Sequence, residues 1–194
     1  MALATPDVYI GPDDAPRYTG YDLQRDKGTE IVLKANNQDK IAPSFYNPYD
    51  IPGSVGANDY RWNIANCNTT LMHPGDLFNP EPGNMVGPTK QGMDDLIAKD
   101  FGAYWDTVNN RVASSMHPSP RVVIIPLFDP YYYATGKANG RNASLKFVNY
   151  LGFFVEEMRG NEVWGRITPI GGLIDRRAGP PPPKAFPHAI RLVQ

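Results

Sequence analysis

The sequence predicts an α+β domain with a mainly β core, and three observations carry that expectation. Glycine and proline supply 18 and 20 of the 194 residues, close to a fifth of the chain against a usual share of about 12%, so turns are frequent and elements short. The most apolar runs, Val122-Val123-Ile124-Ile125 and Tyr150-Leu151-Gly152-Phe153-Phe154-Val155, are rich in β-branched and aromatic residues and of strand length. One longer stretch instead repeats its apolar residues at three- and four-residue steps, the helical period. The expected architecture is an antiparallel or mixed sheet with one main helix around residues 89–113 and many Pro/Gly-rich loops.

Residues 1–28 read as an N-terminal extended segment ahead of a single globular domain over 29–194. Thr29-Glu30-Ile31-Val32-Leu33-Lys34 reads as a strand after a turn at Lys27-Gly28. Over residues 43–60, prolines and aromatics (Phe45, Tyr46, Pro48, Tyr49, Pro52) disfavour a helix and predict an extended loop that covers the core.

A turn at Pro82-Gly83-Asn84-Met85-Val86-Gly87-Pro88 leads into the main helix. Thr89 is its expected N-cap, with Asp94 and Asp95 in the early turns. Met93, Leu96, Ile97, Phe101, Tyr104, Trp105, Val108 and Val112 form one apolar stripe expected in the core, with Gly102 allowing a bend.

Arg121 to Phe128 reads as a strand buried on both faces. Lys137 to Arg141, with Asn139-Gly140, reads as a turn. Leu145 to Val155 reads as a second buried strand in which Gly152 marks a bulge or close packing. Glu162 to Ile167 is a third, joined to it by a Gly160-Asn161 hairpin. A four-proline linker over 176–184 precedes a closing strand over 189–194.

The charge balance, 19 basic against 20 acidic residues, shows no basic cluster, which argues against a nucleic-acid footprint. No segment approaches the ~20 apolar residues of a membrane helix, and Met1 to Pro6 lacks the pattern of a signal peptide. The single cysteine, Cys67, excludes an intrachain disulfide and reads as a free, partly buried thiol. His73, His117 and His188 each adjoin a proline, and no pair has metal-ligand spacing. Gly83 to Gly87 lacks both the GxGxxG and the GK[ST] phosphate-loop patterns. Adjacent carboxylates at Asp13-Asp14, Asp94-Asp95 and Glu156-Glu157 diverge on either a strand or a helix. No catalytic, cofactor-binding or metal-ligating residue is therefore assigned, and no enzyme is expected. An enzyme would require a pocket gathering His117 or His188 with Asp129 or Cys67. The one candidate contact site is the loop Asp129 to Gly136, where Asp129, Tyr131, Tyr132 and Tyr133 offer apolar area with polar tips at the end of a strand.

Four stretches carry a family likeness: Phe45-Tyr46-Asn47-Pro48 to Pro52-Gly53; Pro82 to Thr89 with Gln91 to Ile97; Ala103-Tyr104-Trp105-Asp106 with Ser119-Pro120-Arg121-Val122 and Asp129-Pro130; and Gly152 to Val155 with Gly165-Arg166. With Ile190-Arg191-Leu192-Val193 they run in order over residues 29–194. In these the chain resembles the extracytoplasmic region of the TadG/TadE-like proteins of bacterial tight-adherence (Flp-type) pilus systems. That resemblance implies a non-enzymatic, envelope-exposed domain in pilus assembly or surface adhesion. It also implies pilus-assembly or other envelope proteins as partners, and an N-terminal membrane anchor absent from this chain. The main rival is a carbohydrate- or ligand-binding module of β-sandwich type, whose sign would be a concave surface lined by exposed Tyr or Trp.

Overall fold

The computed structural model describes residues 8–10, 15–18, 20–35, 45–51, 53–54, 56–66, 68, 70, 72–80, 85–138, 144–172 and 187–189. The linker over 176–184, Cys67 and residues 190–194 of the closing strand lie outside the described residues.

β1 (Val8–Ile10) and β2 (Pro16–Tyr18) form a small antiparallel pair, followed by the helical turn α1 (Leu23–Asp26). Then come β3 (Glu30–Ala35), β4 (Phe45–Tyr46), α2 (Gly56–Ala65), β5 (Leu77–Phe78) and α3 (Val86–Ala98). β6 (Tyr104–Asp106) and β7 (Arg111–Ala113) make a hairpin ahead of β8 (Val122–Phe128) and α4 (Pro130–Ala138). The long β9 (Leu145–Arg159), β10 (Glu162–Ile167), β11 (Ile170–Gly172) and β12 (Pro187–Ala189) complete the order. The α+β class with a mainly β core is as the sequence predicts. The main sheet runs β4-β3-β10-β9-β5, with β8 also paired to β9, and it is mixed because β3 and β4 are parallel.

β9 is the centre of the molecule, and its alternation explains the layers. Phe153 and Val155 point to one face and pack with Leu33, Val163 and Leu96 of α3. Phe154 points to the other face and packs with Ala103 and Trp105 of the β6–β7 hairpin. Two glycines permit the close spacing along this strand. A Cβ on Gly152 would strike the Thr168 carbonyl and Ile170, and one on Gly165 would strike the Phe154 carbonyl and the Phe153 ring. The register shift between Trp164 and Gly165 sits at the second of these contacts.

The expected β3, β9 and β10 are present, and Gly160 turns the β9–β10 hairpin at φ 62°. Four expectations are corrected. The main helix does not span 89–113: α3 starts at Val86 and ends at Ala98, and residues 104–113 form a hairpin. Thr89 is not its cap but a buried residue inside it, with its Oγ1 3.1 Å from the Tyr60 hydroxyl. Pro88 is tolerated because the first helical turn needs no N–H bond there. Residues 43–60 are not all extended: α2 begins at Gly56, where the prolines have stopped, none occurring between Pro52 and Pro74. Finally, β8 is an edge rather than a doubly buried strand. Among the described residues its one strand partner is β9, Ile124 is 49% exposed, and Pro126 fits an edge because it cannot donate to a further neighbour.

Candidate functional site

Asp129, Tyr131, Tyr132 and Tyr133 do not form a contact loop, because the segment folds as α4. Asp129 is fully buried and caps that helix, its Oδ1 accepting from the backbone N–H groups of Tyr131 (2.9 Å) and Tyr132 (3.1 Å). Tyr133 is also buried, edge-on to Phe128 at 5.6 Å and packed with Phe78, Leu145 and Phe147. These two residues dock α4 on the sheet and cannot touch a partner. Tyr131 is exposed, although the Arg17 guanidinium lies 4.0 Å from its ring centroid; Tyr132 is half-buried.

A buried, multiply bonded cation, Arg121, lies on the face of β9 away from α3. Its guanidinium donates to the carbonyls of Val155 (2.9 Å), Asp100 (3.0 Å), Ala103 (2.9 Å) and Glu156 (2.5 Å), and it lies over the Phe154 ring. Asp100 Oδ2 accepts from the hydroxyls of Ser114 and Ser119, both at 2.6 Å. Those two bonds, the Ser114 bond first, hold its carboxyl below the usual range, with the Arg121 charge adding to the effect. Burial pushes Arg121 down. These bonds tie the end of α3, the hairpin and β9 together, so the cluster is a clasp between them. No local spacing reveals it, because its members run from Asp100 to Glu156 and meet only through the fold.

Beyond the clasp, the β6–β7 hairpin presents apolar side chains to solvent. Phe101 ahead of β6 is 85% exposed, Tyr104 62%, and Val108 in the turn 91%. Trp105, between them, is buried against Phe154 with ring centroids 6.3 Å apart. The turn is rigidly bonded: Asp106 Oδ1 accepts from the N–H groups of Val108 and Asn109, both at 3.0 Å, and Oδ2 accepts from the Asn109 amide at 2.6 Å. Asp106 followed by Asn109-Asn110 was the readable turn signal.

A second surface feature lies beside α2. Gly53, Ser54, Asp59, Trp62, Asn63 and Asn68 line a cleft of about 280 Å³, and Trp62 is 57% exposed. The Asn68 amide donates to Asn63 Oδ1 (2.8 Å), and the Asn63 amide donates to Ser54 Oγ (2.6 Å).

His73 and His117 are exposed; the His73 backbone N–H donates to Asp76 Oδ2 at 2.6 Å, and His188 lies in β12. Among the described residues no three His, Cys, Asp or Glu side chains gather as metal ligands, and no helix is long and apolar enough to cross a membrane. No family model matches the chain, and no curated protein or solved structure matches it either.

Proposed function

We propose that this chain is a non-enzymatic contact domain that works outside the bacterial cytoplasmic membrane in pilus assembly or surface adhesion. The observation that carries the contact role is the hairpin. Phe101, Tyr104 and Val108 stand in solvent on a segment anchored beneath by Trp105 and the Arg121 clasp. Exposed apolar side chains on a rigid support lose little conformational freedom when a partner covers them, and aromatic residues are frequent anchors of such contacts. The envelope setting rests on the ordered likeness over residues 29–194 and on a near-neutral charge unsuited to nucleic acid. Tyr131 adds accessible area at α4; Asp129, Tyr133 and the half-buried Tyr132 contribute support rather than contact.

The test is photo-crosslinking from position 108 in the native host, paired with a Phe101→Ser, Tyr104→Ser, Val108→Ser variant in pull-downs from envelope extract. An envelope protein crosslinked at position 108, and a loss of capture of about 2 kcal/mol or more with an unchanged melting temperature, are expected. Unchanged capture by the triple variant removes the hairpin. Location of the native protein solely in the cytoplasm defeats the reading as a whole.

A further inference from the structure

We propose that the cleft beside α2 is a binding site for a neutral saccharide, with Trp62 as the platform for one sugar ring. Three observations converge on it.

The first is the indole. Trp62 is 57% exposed on a helix that is otherwise firmly held. α2 packs so closely on α3 that a Cβ on Gly92 would meet the Arg61 carbonyl and Ile64 at 2.9 Å. Arg61 Nε donates to Asp95 at 2.8 Å, and the Lys99 ammonium donates to the Ala65 carbonyl and to Asn66 Oδ1. An exposed aromatic ring on its own means little. A ring carried by a docked helix beside a concave polar wall offers a stacking surface for the C–H face of a pyranose.

The second observation is the hydrogen-bonding capacity of that wall. Ser54 Oγ accepts from Asn63, which leaves the hydroxyl proton to be donated elsewhere, and Asn63 keeps a second amide proton and a second lone pair on Oδ1. Paired donors and acceptors on short side chains fixed by mutual bonds match the vicinal hydroxyls of a sugar, each of which both donates and accepts.

The third is charge and size. Among the described residues the lining contains Asp59 and no Lys, Arg or His, a charge that disfavours phosphate, nucleotide and acidic sugars. At about 280 Å³ the cleft lies just below the usual range of ligand sites, roughly 300–1,000 Å³, which suits one ring of a glycan rather than a dinucleotide or a lipid. This site is separate from the hairpin, and the two readings stand or fall independently.

The experiment is a glycan array carrying neutral hexose and N-acetylhexosamine oligomers alongside sialylated and uronic-acid glycans. Each hit is then titrated in solution with tryptophan fluorescence as readout. Trp105 is buried and Trp164 is half-buried with the Arg159 guanidinium 3.8 Å from its ring centroid, so repeating the titration in Trp62→Phe assigns the ligand response to the exposed indole. Binding to neutral glycans is expected with Kd near the millimolar range common to small, shallow sites, about −4 kcal/mol in free energy. Trp62→Ala is expected to raise Kd about tenfold or more, Trp62→Phe to retain part of the affinity, and Asn63→Ala to weaken binding, all with unchanged melting temperature. Binding to none of the neutral glycans, preference for acidic glycans, or full affinity in folded Trp62→Ala would each overturn the assignment.

Discussion

α3 and the β6–β7 hairpin cover opposite faces of the same strand by different physical means. α3 covers Phe153 and Val155 with Leu96, which is 3% exposed, helped by the flanking Met93 and Ile97. The hairpin covers Phe154 with Trp105 and Ala103 and leaves Phe101, Tyr104 and Val108 outside. Its position depends on directional bonds, with the Arg121 guanidinium reaching the carbonyls of Asp100, Ala103, Val155 and Glu156. One cover is held by non-directional burial, which tolerates small shifts. The other is held by a buried cation whose acceptors must all be in place. The second arrangement frees apolar side chains to face solvent, and that is where a contact surface can arise.

Breaking the clasp should have the largest effect. Arg121→Leu keeps apolar volume but removes the guanidinium bonds from four carbonyls, of which that of Asp100 still accepts from the Ala103 N–H at 3.0 Å. It should cost about 3–5 kcal/mol because several buried acceptors lose a charged donor at about 1–3 kcal/mol each. Urea denaturation measures it, and a loss below about 1 kcal/mol would mean that burial alone holds the hairpin.

The helical cover should respond next. Leu96→Ala should cost about 2–5 kcal/mol as a buried large-to-small change, while Val108→Ala, fully in solvent, should fall within about 0.5 kcal/mol. Similar losses at both would fit one continuous helix and refute the division at Ala98.

Acid distinguishes the two covers further. The folded carboxyl of Asp100 lies below its unfolded value, so the stability it contributes is present above the ordinary carboxyl range and is lost as pH falls through the folded value. Thermal melts from pH 7 down to about pH 3, below the ordinary carboxyl range, should show wild type losing more stability than Asp100→Asn. The other depressed acids, such as Asp95 and Asp106, are common to both proteins and cancel in the comparison. Equal acid sensitivity would remove Asp100 from the clasp.

The smallest effect belongs to the hairpin turn. Asn110 has φ 49°, a left-handed conformation that Asn and Gly adopt readily. Asn110→Gly keeps the backbone conformation and loses only the exposed amide bond to the Lys27 carbonyl (3.2 Å), so it should cost no more than about 1 kcal/mol. Asn110→Val, which loses that bond and strains the backbone, should cost about 1–2 kcal/mol more, both read by thermal unfolding. The reverse order would contradict the turn.

Local chemistry alone determined the α+β class, the strands around Ile31, Phe153 and Val163, the Gly160 hairpin and the helical character of residues 93–97. In each case periodicity, β-branching and turn residues agreed. Where local signals were equivocal, tertiary structure decided. Residues 101–112 keep the helical spacing of apolar side chains, yet Phe154 needed a cover, Arg121 and the two serines captured the chain at Asp100, and the Asp106 to Asn110 turn reversed it. The Asp129 segment became a helix because a buried carboxylate satisfied its first N–H groups, and Tyr133 was drawn into the core. Beside Trp62, side-chain bonds that no spacing encodes join Ser54, Asn63 and Asn68. Spacing specifies which side of an element is apolar; which element forms, and what its exposed side can bind, depends on the surfaces that elements distant in sequence present to it.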